Sequence, residues 1–564
     1  MDDPRSKREH LLARYRDLEL ERSSWDAHWR DIAEFQQPRL SRFFAEDANR
    51  GDKRHRNIID NTALLASRTL AAGMMSGMTS PARPWFRYGL GAHMRDVASR
   101  PKVKAWLHKT TELVRAIFAS SNTYNTLHGM YEEIGLFATT ASVLLPDYEN
   151  VIHHYPMTIG EYVMATDDKG AVTTLGRKVQ MTVGQMVKRF GKDACSPTTR
   201  ILRDQHKFDA KVLVYHIIEP REQYDPKRKD GKNRKFASVY FEPGRDDWDN
   251  FLRESGYDEF PAITGRWAVT GNDVYGSRAP GMETLGDVKQ LQHQQLRKGQ
   301  AIDYQVNPPL VVPTAYKGSP RDRLPGGTLF ADVTTANGIR SAFEVQLDLG
   351  HLREDIIDIR DRIRSGWYND LFLMLASMDP NSKMTATEVA ERHEEKLLML
   401  GPVLERMHYE TLSRKLDLTF SYCAQADLLP EPPEEIQGQQ LQIEFISVLA
   451  QAQRAVAASS ADRLLGTVST LVPIWPEARH KIRVTKVIDD YADMYGVNPE
   501  IVASDEDAAA SAQAEAKQAA LAMAAEAAPK VASAAKDAAE VGADGMDEIT
   551  NMFSGYSSPA PSQI

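Results

Sequence analysis

The chain has 564 residues, 42% of them apolar, enough to bury substantial cores and to form several domains. Its formal charge is −9, but 14 acidic and 3 basic residues lie from Asp489 onward, a net −11 that leaves the preceding chain at +2. That balance disfavours a protein that wraps nucleic acid tightly and permits a channel along which phosphates slide. Two cysteines, Cys195 and Cys423, share no repeated spacing and argue against a disulfide framework or a structural zinc site, as suits a reducing environment.

The N-terminus has no signal-peptide apolar stretch. Leu11, Tyr15, Leu18, Trp25, Trp29 and Ile32 recur at three- and four-residue steps and predict one long helix burying a narrow stripe, ended before Pro38. Trp25 and Trp29 read as core residues. The most membrane-like interval, Asn61 to Pro81, is interrupted by Arg68 and reads as a buried amphipathic helix, so no stable membrane insertion is expected. Lys211–Glu219 and Phe236–Phe241 are strand-like and predict a hairpin or adjacent strands with a long loop. That loop, 221–235, holds seven Lys/Arg and three Asp/Glu; a solvated connection, a subunit contact and a nucleic-acid contact all fit it.

A helix is expected through Gly281–Ile302, after which Pro308, Pro309 and Pro313 break helical geometry and 318–327 reads as turn-rich. Val345, Leu349, Leu352, Ile356, Ile359, Ile363 and Trp367 then predict a second long helix; if 342–376 is continuous, it spans roughly 50 Å. Asp379-Pro-Asn-Ser-Lys383 is a polar interruption, followed by a capping-box pattern, Thr385-Ala-Thr-Glu388. The next helix is expected to reach about Leu416, kinked or broken at Gly401-Pro402. Nineteen alanines lie within 501–540; a peripheral helix, an assembly-stabilised bundle and a partly disordered tail each account for them.

Three separated runs then carry a resemblance. Ile58-Ile-Asp-Asn-Thr62 leads through Leu70–Pro81 to Arg83-Pro-Trp-Phe86. Gly271-Asn-Asp-Val-Tyr-Gly-Ser-Arg-Ala-Pro-Gly281 precedes Leu285-Gly-Asp-Val-Lys289, and Met384-Thr-Ala-Thr-Glu-Val-Ala390 leads to Leu400-Gly-Pro-Val-Leu404. In this order and spacing the chain resembles the portal, or head-to-tail connector, proteins of short-tailed bacteriophages, including the T7-like group.

The resemblance implies an α+β protomer with wing, helical stem, small clip and helical crown, twelve copies forming a mushroom-shaped ring. It implies a wing and supporting α/β region over 1–275, a first stem helix at 276–304, a clip at 305–341 and a second stem helix at 342–376. A channel loop at 377–384 follows, then wing and crown helices at 385–500 and a crown extension or flexible tail at 501–564. Asp379, Asn381, Ser382 and Lys383 would face DNA, and Lys317, Arg321 and Arg323 would make clip contacts. Implied partners are double-stranded phage DNA, the packaging terminase, scaffolding and major capsid proteins, a tail adaptor and internal core proteins. The expected place is the unique vertex of the virion, after assembly in the host cytoplasm.

No catalytic chemistry is legible. There is no Gly-x-x-x-x-Gly-Lys-[Ser/Thr] phosphate loop and no His-Glu-x-x-His zinc pattern, so neither enzyme activity, metal nor cofactor is expected. Two other readings stay open: a packaging enzyme with an unrecognised ATPase or nuclease site, and a non-portal tail or internal-core structural protein.

Overall fold

The computed structural model describes residues 4–43, 57–98, 100–228, 230–243, 251–313, 327–331, 340–341, 349–376 and 399–447, with shorter runs between 466 and 519. The chain divides into two compact units, Met1–Pro476 and Glu477–Ile564. In the second, residues 508–519 are helical and almost wholly exposed, as their alanine content favours. The first unit is mixed α+β.

Its N-terminal helix α1 (Pro4–Phe35) has 32 residues, about 48 Å at the usual rise. The apolar stripe is divided between two cores. Leu11, Tyr15 and Leu18 pack on one sheet face, whereas Trp29, Ile32 and Ala33 enter the main core, with Trp25 stacked on Trp29 at 6.0 Å. Then follow α2 (Thr62–Met78), β1 (Phe86–Leu90), one turn α3 (Arg95–Ala98), α4 (Pro101–Ser120) and α5 (Thr123–Phe137). Pro101 sits at the start of α4, where its missing N–H costs no helical bond.

β2 (Thr139–Asp147) and β3 (Val151–Met157) form an antiparallel pair. β4 (Tyr162–Thr166) and β5 (Val172–Thr182) lead to two short helices, α6 (Val183–Phe190) and α7 (Pro197–Asp204). Thr182 caps α6 in a reciprocal box with Gln185, and Ser196 caps α7. β6 (Lys211–Pro220), β7 (Phe236–Phe241) and β8 (Arg253–Tyr257) complete an antiparallel sheet in the order β4-β5-β6-β7-β8. The strands expected at 211–219 and 236–241 are thus neighbours, Tyr215 opposite Phe241. Alternation gives this sheet two buried faces. Val163, Ala165, Ile217 and Val239 lie under α1, and Met164, Leu175, Ile218 and Phe236 join the main core. β9 (Ala262–Arg266) pairs with β2 to close the second sheet, β3-β2-β9.

One turn, α8 (Pro280–Glu283), precedes α9 (Leu285–Val306), so helix begins a few residues after the expected 276. A small sheet follows, β10 (Leu310–Pro313) parallel to β11 (Thr328–Ala331) and antiparallel to β12 (Arg340–Ser341). The chain returns in α10 (Leu349–Gly366) and α11 (Asn369–Ala376). Asp287 meets Arg362 at 3.6 Å and Gln294 meets Asp355, so α9 and α10 run antiparallel. The continuous helix expected over 342–376 is interrupted at Tyr368, which turns the chain at φ 53°. The apolar period runs on through the break because Ile363, Trp367 and Leu371 all enter the same core.

Residues 399–406 are helical through Gly401-Pro402, so the interruption expected there does not occur among the described residues. The departure comes later, as a π-helical segment Met407–Ser413, before α12 (Arg414–Gln425). Arg266 holds Glu410 at 2.7 Å and Thr411 donates to the Thr264 carbonyl at 3.0 Å, fastening the wider turn to β9. β13 (Leu441–Phe445) finally pairs with β1.

Both cysteines are free and buried. On α12, Lys415 is wholly buried and its ammonium has no hydrogen-bond partner; burial pulls it down to about 7. His154 of β3 is likewise buried with both ring nitrogens unpartnered. Burial, and then the charge of Lys415, hold its imidazole well below the usual range.

Candidate functional site

The candidate site is the α9/α10 hairpin, which carries β10–β12 between its legs. Its root is a polar knot built on Asp60, in the segment just before α2. The buried Asp60 carboxylate accepts from the Thr62 N–H (2.9 Å) and hydroxyl (2.5 Å) through one oxygen. Its other oxygen accepts from Gln295 Nε2 (3.0 Å) and from Arg360 Nε (3.0 Å) and Nη2 (2.7 Å). Burial alone raises such a carboxyl, but the bonds from Thr62 and Arg360 outweigh it and hold Asp60 below its ordinary value.

Gln292 ties the same backbone from α9. Its Oε1 accepts from the N–H groups of Ile59 (2.7 Å) and Asp60 (2.8 Å), and its Nε2 donates to the Asp60 carbonyl at 2.8 Å. Both legs of the hairpin therefore grip one residue. Around the knot, Leu285, Val288 and Leu291 of α9 and Ile356, Ile359 and Ile363 of α10 are buried. Trp367 closes the root by donating its indole N–H to Thr284 Oγ1 at 3.0 Å.

Described residues of all three sequence runs contribute to the main core that this root enters. A Cβ at Gly73 of α2 would collide with Phe372 of α11, so only glycine lets the two helices approach that closely. Gly276 donates its N–H to Thr139 Oγ1 at 2.9 Å, and a Cβ there would strike the Ala138 carbonyl. Tyr275 packs edge-on to Trp29 at 5.2 Å, and Gln36 donates to the Gly281 carbonyl at 2.7 Å. Trp85 and Phe86 are buried beside Phe118, while Leu400, Val403 and Leu404 lie in the same main core.

A model of the bacteriophage head to tail connecting protein family matches residues 8–502. The chain belongs to this connector family. It is 50% identical over 558 residues to the probable portal protein of Bordetella phage BPP-1, covering 98% of this chain and 99% of that relative. It is also 42% identical over 515 residues to the portal protein of Salmonella phage epsilon15, covering 91% and 92% respectively.

In this connector, the distal half of the hairpin differs from its root. Leu296, Ile302, Val306 and Leu310 are exposed, Val306 at 79%. Bare apolar side chains along the far half of α9 suit a surface that another chain covers. Asp379, Asn381, Ser382 and Lys383, with the Thr385–Glu388 box, lie outside the described residues, as do Lys317, Arg321 and Arg323.

The basic loop 221–235 is substantially neutralised where it is described. Arg221 lies 3.6 Å from Glu254, Arg234 pairs with Asp258, and Arg228 lies 3.8 Å from Asp225. Among the described residues no group of three His, Cys, Asp or Glu is placed to hold a metal, and no helix is long and apolar enough to cross a membrane. The Asp60 knot was within the quoted motif, yet its partners Gln292 and Arg360 lie more than 230 residues away and carry no local signal.

Proposed function

We propose that this connector is a portal subunit, in which the α9/α10 hairpin is the stem and β10–β12 belong to the clip. The observation that carries the reading is the hairpin itself: rooted by both legs on Asp60, carrying a small sheet between its legs, and apolar along the far half of α9. Twelve copies around an axis would cover those side chains with neighbouring stems and leave a passage for double-stranded DNA. The surrounding region 1–275 would form the wing and 385–500 wing and crown. Such a ring, assembled in the host cytoplasm and set at one vertex of the virion, joins head to tail and admits, retains and releases the genome.

Its partners in that role are the terminase, scaffolding and major capsid proteins, a tail adaptor and internal core proteins. The chemistry of packaging belongs to the terminase, and this subunit is a structural gate rather than an enzyme. Asp379, Asn381, Ser382 and Lys383 would line the channel, Lys383 meeting successive phosphates through weak, salt-screened contacts. Lys317, Arg321 and Arg323 would serve the clip.

Particle imaging and native mass measurement of the purified protein test the assembly. A hollow twelve-subunit ring is expected, and a persistent monomer under assembly-permissive conditions would defeat the reading. For the channel loop, a photo-crosslinker at position 383 should capture DNA in filled heads and not in empty ones. Crosslinks to capsid shell or tail protein alone would remove the loop from the channel.

A further inference from the structure

One row of the five-stranded sheet carries charge with no counter-charge among the described residues. Arg177 of β5, His216 of β6, Tyr240 of β7 and Arg253 of β8 are directly opposite one another in register, so all four side chains leave the same face. Arg189 reaches the same place from the last turn of α6. Arg177 is 8% exposed, with Arg189 and Arg253 exposed beside it.

The bonds within the row are all to neutral groups. Arg177 Nε donates to His216 Nδ1 at 3.1 Å, and its Nη2 donates to the Tyr240 hydroxyl at 3.4 Å. Arg189 Nη2 donates to the same hydroxyl at 3.3 Å. His216 stacks flat on Tyr240, ring centres 3.7 Å apart, and its Nε2 lies 3.0 Å from Ser238 Oγ. With Nδ1 accepting, the imidazole is the Nε2–H tautomer, a neutral strut that orients Arg177. Burial, and then the charges of Arg177, Arg189 and Arg253, hold His216 well below its usual range, so it does not add a fourth cation at neutral pH.

The carboxylates near the row are engaged elsewhere. Glu242 accepts from Ser196 (2.7 and 2.8 Å) and Thr199 (2.6 Å), Glu254 is held by Lys7 at 2.5 Å, and Asp258 pairs with Arg234. Glu259 shares with Arg253 the wall of a neighbouring cavity of about 270 Å³, but no described carboxylate comes within 4.0 Å of any of the three guanidinium groups. A buried guanidinium answered only by neutral acceptors is costly unless a negative charge meets it. Tyr240, accepting from two cations, also retains its own O–H to donate.

We propose that Arg177, Arg189, Arg253 and Tyr240 bind a phosphate-type oxyanion, either free phosphate or a backbone phosphate of nucleic acid. Three forked cations arriving from separate elements suit a tetrahedral group with several acceptor oxygens better than a planar carboxylate with two. The site lies within one subunit and its existence does not depend on ring formation.

Equilibrium dialysis of the full-length protein against labelled inorganic phosphate at low salt tests it. Saturation at one anion per subunit is expected, weakened roughly tenfold or more by Arg189→Gln and by Arg253→Gln singly. Arg177→Gln should abolish binding; because that side chain is buried, the two exposed variants decide the matter if it misfolds. A short DNA duplex that displaces phosphate from the wild type identifies a nucleic-acid backbone as the source, and failure to displace identifies free phosphate. Absence of saturable binding, binding indifferent to both exposed variants, or equal displacement by acetate would each overturn the proposal.

Discussion

The two halves of α9 share one helix and serve opposite ends. Near its start, Leu285, Val288 and Leu291 are buried and Gln292 and Gln295 grip the Asp60 segment; beyond, Leu296, Ile302 and Val306 stand exposed. Helical periodicity alone cannot distinguish them, because both halves contain apolar residues. What separates them is whether the subunit itself supplies the covering surface. The near half reports on the stability of one subunit and the far half on association.

Substitution at the root should have the largest effect on the subunit. Asp60→Ala strands the donors of Thr62, Gln295 and Arg360 and should cost roughly 3–4 kcal/mol, read as a lower urea midpoint with less assembled protein. The contribution carries a pH signature. Because Asp60 is depressed in the folded chain, its stabilisation is complete above the unfolded carboxylate value and is lost as pH falls through the folded one. Asp60→Asn should flatten that acid limb.

A second test uses the opposite case, a buried charge with nothing to answer it. Asp60 receives five donated hydrogen bonds, whereas the Lys415 ammonium receives no partner. Lys415→Met should therefore raise stability at pH 7, by roughly 2–3 kcal/mol. With the folded amine at about 7 and the unfolded one near 10.5, the unfolded chain binds more protons between those values. Wild-type stability should then climb with pH across that window, and the variant should lose the slope.

Smaller still is the effect at the helix crossing. Gly73→Ala must displace Phe372 and should cost roughly 1–2 kcal/mol in the same unfolding assay. Smallest for the subunit is the far half: Leu296→Ser and Val306→Ser should leave unfolding within roughly 0.5 kcal/mol of wild type. Sedimentation should show the reverse ranking, with the far-half pair dissociating at higher protein concentration than wild type. Far-half variants that unfold the subunit while sparing association would break the comparison.

Much of the fold was legible where one local signal dominates. The Leu11–Ile32 stripe and Pro38 bounded α1, and alternating residues at 211–219 and 236–241 announced neighbouring strands. The turn at Tyr368 was not legible, because the four-residue step from Trp367 to Leu371 continues across it. Of the kink or break expected at Gly401-Pro402, no break occurs: the helix passes Pro402, and contacts from Arg266 and Thr264 accompany the π turn farther on. The root and the arginine row depend on residues far apart in sequence, and register across four strands is not written in any single one of them.

The pairing of β1 with β13 has a consequence in time. Phe86 finds its partner at Phe445, so at ordinary translation rates β1 is synthesised roughly 20–70 seconds before the strand that covers its edge. During that interval five residues of unpaired backbone face solvent or a chaperone, and a short strand carrying Arg87 and Gly89 is a poor template for mispairing. Closing this ladder is a late, long-range step whose loop entropy must be overcome near the end of synthesis. The hairpin, whose residues lie between the two strands in sequence, leaves the ribosome before that step, so its exposed apolar surface exists before the body behind it is locked.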